Sequence, residues 1–385
     1  MLLLRIWFRK VWSLPVFSRV PRGRLVVLYR PQLTANRFRP VTTQSFTPRE
    51  FCPARWLPGP HFQTLGARFL RSGNGPRLYR ERVELPDGDF VDLDFAFDPV
   101  RPGRFGGVPV VLLVHGLEGN ARSKYALETY RALRAHGMAP IGLNFRSCSG
   151  ELNRLARMYH SGDTADIQFI LHLLSDRFPD RARGAIGFSL GGNALLQLLG
   201  SSDSAASFGL SAAAVISVPY DLSAGADHLE RPGGRLYAAY LLRKLQRKVR
   251  AKRRIMPAHI DVRRALAATT FREFDDAVTA PLHGFDGAED YYRRSSSTRA
   301  ISGIRIPTLL LHSMDDPFLP SRCIPVEAAK NNPFVTTAFT TVGGHVGFVA
   351  RSWPWRPRFW AEQEVARFLA AALCDGAPVG ADGAE

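Results

Sequence analysis

Apolar residues in this chain gather into short runs separated by longer segments of helical period. Two alternating runs, 78 to 85 and 90 to 97, flank Pro86-Asp87-Gly88-Asp89. An Asp-Gly turn between alternating runs predicts an antiparallel hairpin. Beyond it, apolar runs at 108–114, 138–144, 183–188, 213–218, 308–312 and 337–342 alternate with longer segments. Strands that are apolar throughout are covered on both faces, so the pattern predicts an α/β fold with a mostly parallel central sheet and helices on both faces. One interval is out of scale. Residues 219 to 307 separate the sixth strand from the seventh, where about 2–6 residues plus a helix would serve. The excess predicts a cap insertion of about 219–300. Inside it, Leu241, Leu242, Leu245 and Val249 share one face of a helix over 236–249, with Arg243, Lys244, Arg247, Lys248 and Arg250 facing outward.

The net charge of +17 raises the question of a nucleic-acid partner, and its distribution answers it. Residues 1 to 50 carry +9, residues 231 to 264 carry +11, and the remainder is slightly acidic. Neither basic stretch has aromatic residues at a regular stacking interval, so no nucleic-acid partner is expected. The first stretch contains no apolar run of the ~18 residues that a membrane span needs. Pro15, Pro21 and Pro31 would interrupt any amphipathic targeting helix. Residues 1 to 48 therefore read as a basic, disordered extension ahead of a catalytic domain over 49–385. Four cysteines with no Cys-x-x-Cys spacing suggest reduced thiols and a cytoplasmic location, and no zinc cage.

The candidate chemistry centres on Gly187-Phe188-Ser189-Leu190-Gly191. An apolar run enters it and a helix-forming run leaves it, which predicts a sharp strand-to-helix turn that lifts the Ser189 hydroxyl clear of the backbone. The amide of Leu190 would then face a developing oxyanion. The second donor is expected from the loop after the third strand, His115-Gly116-Leu117-Glu118-Gly119, at the amide of Leu117. Glu118 reads there as the dipole partner of a helix start. A serine base and its orienting carboxylate follow in the order Ser, Asp, His. The loop after the seventh strand supplies Asp315 and Asp316, and the loop after the eighth supplies His345. Asp316 is preferred because it precedes Pro317, while Asp315 suits a turn cap. No metal and no organic cofactor is expected.

These motifs resemble the YheT-type ester hydrolases of the α/β-hydrolase superfamily, relatives of eukaryotic fatty-acid ester esterases and lipases. The likeness spans roughly 53–371 and includes His61-Phe62-Gln63-Thr64, Asn144-Phe145-Arg146-Ser147-Cys148, Tyr159-His160-Ser161-Gly162-Asp163, Phe274-Asp275-Asp276 and Gly343-Gly344-His345-Val346-Gly347-Phe348. Ser147 stands where the family usually has glycine. The resemblance implies the α/β-hydrolase fold and a charge relay of Ser189, Asp316 and His345. It also implies a serine esterase acting on short- to medium-chain fatty acyl esters through an acyl-enzyme. An ester or lipid is the expected substrate, and the basic cap suggests peripheral contact with an anionic membrane. A catalytically inactive scaffold of the same fold and a basic protein binding nucleic acid or an anionic surface are the rival readings.

Overall fold

A computed structural model describes residues 46–201 and 209–374, together with the backbone of two short strands, Ser18–Arg19 and Leu25–Val27. Eight strands carry the described region: β1 (Tyr79–Glu84), β2 (Phe90–Phe95), β3 (Val110–Val114), β4 (Ala139–Asn144), β5 (Arg183–Phe188), β6 (Ala212–Ile216), β7 (Thr308–Ser313) and β8 (Val335–Thr340). They lie in the order β1-β2-β4-β3-β5-β6-β7-β8, with Leu25–Val27 appended in parallel to β1. Among these eight, β2 alone runs opposite to the other seven. The expected hairpin is β1–β2: Gly88 takes φ 83° and its amide donates to the Leu85 carbonyl at 3.0 Å.

Two apolar layers sandwich the sheet because the strand faces alternate. Val110, Leu112 and Val114 of β3 point to one layer with α3 (Ala165–Arg177) and α4 (Leu190–Leu199). Val111 and Leu113 point to the other, with α2 (Lys124–Ala135) and α9 (Trp360–Leu373). Helix α1 (Pro60–Leu70) lies outside these layers and packs Ala67 against Val349 and Phe359. The cap follows β6 as α5 (Leu222–Leu229), α6 (Arg235–Lys252), α7 (Val262–Ala267) and α8 (Ala288–Ser295). It has its own small core of Leu242, Leu245, Val249, Ile260 and Phe274.

Phe46, inside the expected extension, already packs on the core. The Phe46 ring meets Phe368 edge-on at 5.0 Å, and the Arg367 guanidinium both covers that ring and donates to the Thr47 carbonyl. The expectation of a disordered extension over 1 to 48 falls mostly outside the described residues.

Several of the shared motifs meet in one buried ion cluster. Arg146, just past β4, reaches Asp87 and Asp89 of the hairpin turn at 2.7 and 3.0 Å, and both oxygens of Asp166 in α3 at 2.7 Å. Ser147 has φ 64°, the left-handed region that favours glycine. Its hydroxyl bonds to Asn153, which also accepts from Lys252 of α6 at 2.6 Å. Removing one member of a buried ion cluster typically costs about 3–5 kcal/mol, since its partners stay buried uncompensated. Arg146→Met should lose stability in that range in urea unfolding. A loss no greater than that of a surface substitution would contradict the role given to the cluster.

Candidate active site

The site lies where the strand order reverses, beyond the carboxyl ends of β3 and β5, as open α/β sheets favour. Ser189 follows β5 directly with φ 49° and ψ −119°, a conformation non-glycine residues rarely hold. Its amide donates to the Ile216 carbonyl at 2.9 Å and its carbonyl accepts from the Asn193 amide at 3.0 Å. The flanking glycines leave no choice. A Cβ on Gly187 would sit 2.5 Å from the Gly192 Cα, and one on Gly191 would sit 2.5 Å from the His115 carbonyl oxygen. The expected turn into a helix is therefore present, with Leu190 as the first residue of α4. The first amides of a helix have no intrahelical partner.

The structure brings Ser189, His345 and Asp316 together. Ser189 Oγ lies 3.2 Å from His345 Nε2, and His345 Nδ1 lies 2.8 Å from Asp316 Oδ2. The other Asp316 oxygen accepts from the Phe318 amide at 2.8 Å. Asp315 points elsewhere: its Oδ1 accepts from the Gly344 amide at 2.9 Å and from the Ser313 hydroxyl. It thus pins the histidine loop rather than the imidazole. Nearby His312 is fully buried, and burial pulls its pKa down to about 4, so it stays neutral beside Asp316.

Sequence reasoning missed three supports of His345. Thr64 of α1 accepts the His345 amide at 2.9 Å, Ser217 accepts the Val346 amide at 3.0 Å, and the Phe318 ring stacks on the imidazole at 4.1 Å with 3° between planes. The signal for Thr64 was present in His61-Phe62-Gln63-Thr64. Gln63 is the buried half of the same device, bonding the amide of Val349 at 2.8 Å. Phe318 ends the shared stretch Asp315-Asp316-Pro317-Phe318, whereas for Ser217 no local pattern existed.

The loop 115–119 approaches Ser189 closely, with an ideal Gly116 Cβ only 3.2 Å from the Ser189 Cβ. Here two expectations are corrected. Glu118 does not start a helix, since α2 begins at Lys124; it takes φ 55° instead. Its amide donates to the Tyr159 hydroxyl at 2.8 Å, and its carboxylate accepts from that hydroxyl at 2.9 Å and from Lys248 Nζ at 2.6 Å. Its carbonyl accepts from Lys244 Nζ at 2.8 Å. The five cations expected to face outward from α6 therefore do not all do so. Lys244 and Lys248 turn inward because a carboxylate and a carbonyl are waiting there. Burial alone would lower the Lys248 pKa, but Cys148, 3.1 Å away, and Glu118 hold it above its usual range.

Between sheet and cap lies a cavity of about 590 Å³. Ser189, Leu190, Leu117 and His345 line it from below, and Leu222, Leu241, Phe271, Phe274 and Leu282 line it from the cap. Its wall also holds a polar corner. Burial raises Asp275 to about 6, and its carboxyl bonds the Tyr292 hydroxyl at 2.7 Å. Burial lowers the facing rings of His160 and His283 to about 4 and about 3, so both are neutral. Among the described residues no group of His, Cys, Asp and Glu is arranged to hold a metal ion, and no helix is long and apolar enough to cross a membrane.

No family model matches the chain. Among individual proteins, it is 36% identical over 326 residues to the candidate esterase YheT of Escherichia coli (strain K12), covering 84% of this chain and 94% of the relative. It is 33% identical to the phospholipase ABHD3 of Mus musculus, covering 82% and 76%. With the monoacylglycerol lipase of Saccharomyces cerevisiae it shares 31% identity, covering 68% and 59%. The solved esterase Pf2001 of Pyrococcus furiosus superposes with a TM-score of 0.52 over 84% of this chain and 99% of that one. At 15% identity, that likeness shows the fold alone.

The clamp on Glu118 carries its own test. Lys248→Met leaves a largely buried carboxylate short of its cation, at a cost of about 3–5 kcal/mol. The double variant Lys248→Met/Glu118→Gln removes both charges and should recover most of that loss in urea unfolding, a coupling of about 1–3 kcal/mol. Strictly additive losses would show that the two side chains do not act as a pair.

Proposed function

The chain belongs to the YheT family of α/β-hydrolases and is a carboxylic ester hydrolase; we propose that it works through an acyl-enzyme on Ser189, with His345 as base and Asp316 as orienting carboxylate. The observation that carries this reading is the continuous row of contacts from Ser189 Oγ through both imidazole nitrogens to Asp316, on the floor of a largely apolar cavity.

In the proposed cycle the Ser189 hydroxyl attacks the ester carbonyl as His345 Nε2 accepts its proton. The carbonyl oxygen becomes an oxyanion facing the amides of Leu117 and Leu190, the second reinforced by the dipole of α4. Collapse of the tetrahedral adduct breaks the bond to the alcohol oxygen, and the alcohol departs with the proton held on His345. Water then attacks the acyl-enzyme by the same route, giving the carboxylic acid and free Ser189. Asp316 holds the imidazole with its proton on Nδ1, the tautomer that leaves Nε2 free to accept. No step calls on a cofactor.

Fatty acyl esters are the proposed substrates. Most cap side chains that line the cavity are aliphatic or aromatic, and the cap cation among them, Lys244, donates to the Glu118 carbonyl. Names of the relatives that include phospholipase and monoacylglycerol lipase agree with this class.

Ser189→Ala should abolish labelling by a fluorophosphonate probe and lower ester turnover by several orders of magnitude, because the triad members act as a unit. Asp316→Asn should cost roughly 10⁴ in kcat by trapping the wrong tautomer, and Asp315→Asn far less. If the Asp315 variant is the crippled one, the assignment of the two carboxylates is reversed.

Chain length probes the cavity separately. Each methylene buried contributes at most about 0.8 kcal/mol, about fourfold in kcat/KM. The constant should therefore climb from acetyl toward medium-chain p-nitrophenyl esters and then level off. A profile flat from acetyl onward would rule out the cavity as the acyl site.

A further inference from the structure

The mouth of the cavity is built by two adjacent helices that leave apolar side chains in water. Leu65, Arg68 and Phe69 of α1 and Tyr237, Tyr240 and Leu241 of α6 all line it. Two contacts tie the helices together there: His61 Nδ1 lies 3.0 Å from the Tyr237 hydroxyl, and Arg68 donates to the Tyr240 hydroxyl at 2.9 Å. Helix α1 is apolar on two sides. One side is buried against Val349 and Phe359. The other presents Phe62, Leu65 and Phe69, of which Phe62 and Phe69 are 64% and 73% exposed. Three residues spaced i, i+3, i+7 fall on one helical stripe. Leu236, at the mouth end of α6, is 82% exposed.

Continuing down the same stripe of α6, positions 240, 243, 247 and 250 read Tyr, Arg, Arg, Arg, all exposed. Neither α1 nor α6 contains an acid. Apolar tips around a pocket entrance, flanked by cations with no acid between them, match the layering of an anionic lipid surface, with acyl chains below and phosphates above. Two of the cations expected to serve such a surface, Lys244 and Lys248, are committed to Glu118 instead. The arginines are not.

We propose that the outer stripe of α1 and the exposed face of α6 form a docking surface for an anionic phospholipid layer, which places the cavity mouth against that layer. The surface feeds the site from the lipid side. This proposal rests on the reading of the chain as a hydrolase of fatty acyl esters only for its purpose; the docking itself stands on the two helices.

Co-sedimentation of the full chain with vesicles of ether-linked phosphatidylcholine containing ether-linked phosphatidylglycerol reads docking without any bond to cleave. The chain should sediment with these vesicles, and less so as salt is added. Phe62→Ser/Leu236→Ser should weaken binding about tenfold or more. Arg243→Glu/Arg247→Glu/Arg250→Glu should weaken it by about a hundredfold. None of these five residues lines the cavity. Both variants should therefore hydrolyse a soluble short-chain ester at the unaltered rate, while turnover of a dispersed lipid ester falls in step with vesicle binding. A chain that fails to sediment overturns the proposal. So does undiminished binding by the double variant, which would move the contact to the cationic residues 1 to 45. A dimer formed by the unaltered chain and lost in Phe62→Ser/Leu236→Ser would make a second copy the occupant and overturn it equally. Vesicle binding as expected in a chain that cleaves no ester would refute the ester reading and uphold the docking surface.

Discussion

The left-handed turn at Ser189 is the constraint on which the site depends. A non-glycine residue held at positive φ costs on the order of 1–3 kcal/mol, and the surrounding packing has to over-determine it. Here it does so from three directions: Gly187 and Gly191 pass within contact of Gly192 and of the His115 carbonyl, Ile216 accepts the serine amide, and Asn193 donates to the serine carbonyl. The same closeness brings Gly116 against the serine. The tight turn and the approach of the loop carrying Leu117 are thus one packing solution.

The sheet alone does not finish the site. His345 sits on a loop whose shape is set by Asp315, by Thr64 of α1 and by Ser217 after β6, while Phe318 fixes the plane of the ring. The loop around Leu117 is held from above by the cap, through the hydrogen bonds of Lys244 and Lys248 to Glu118. One helix of the insertion therefore bears on the backbone beside the serine. The same helix also reaches the imidazole, through the Tyr237 ring against Phe318.

Much of this was legible in the chain, and the reasons differ by element. Parallel strands buried on both faces must be apolar throughout, so runs such as Val110–Val114 announced themselves, and the order serine, aspartate, histidine is a consequence of strand order. The turn at Ser189 was legible because the glycines around it have no alternative. The inward Lys244 and Lys248 were not. Helical periodicity assigns a lysine to the wet face unless a carboxylate waits opposite, and Glu118 lies more than a hundred residues upstream. Ser147 sits at φ 64°, a conformation that only the backbone reveals. The packing of Phe46 was hidden likewise, because its partners Phe368 and Arg367 stand at the far end of the chain.

The charge of the protein is better understood by function of position than by sum. Arg146 and Lys252 neutralise or satisfy buried polar groups in the hairpin cluster, Lys244 and Lys248 secure the loop beside the serine, and Arg71 is paired with the buried Glu362. Desolvated cations of this kind have spent their attraction inside the molecule and project little field outward. Arg243, Arg247 and Arg250, by contrast, stand on one exposed stripe of a helix without acids, where their potentials add. Among the described residues, this stripe therefore directs positive charge outward along the helix that frames the cavity mouth. A net charge spread evenly over the surface would attract any polyanion from any side. A stripe beside an apolar rim discriminates, because a phosphate-bearing partner gains the full interaction only if it also offers apolar matter to Phe62, Phe69 and Leu236.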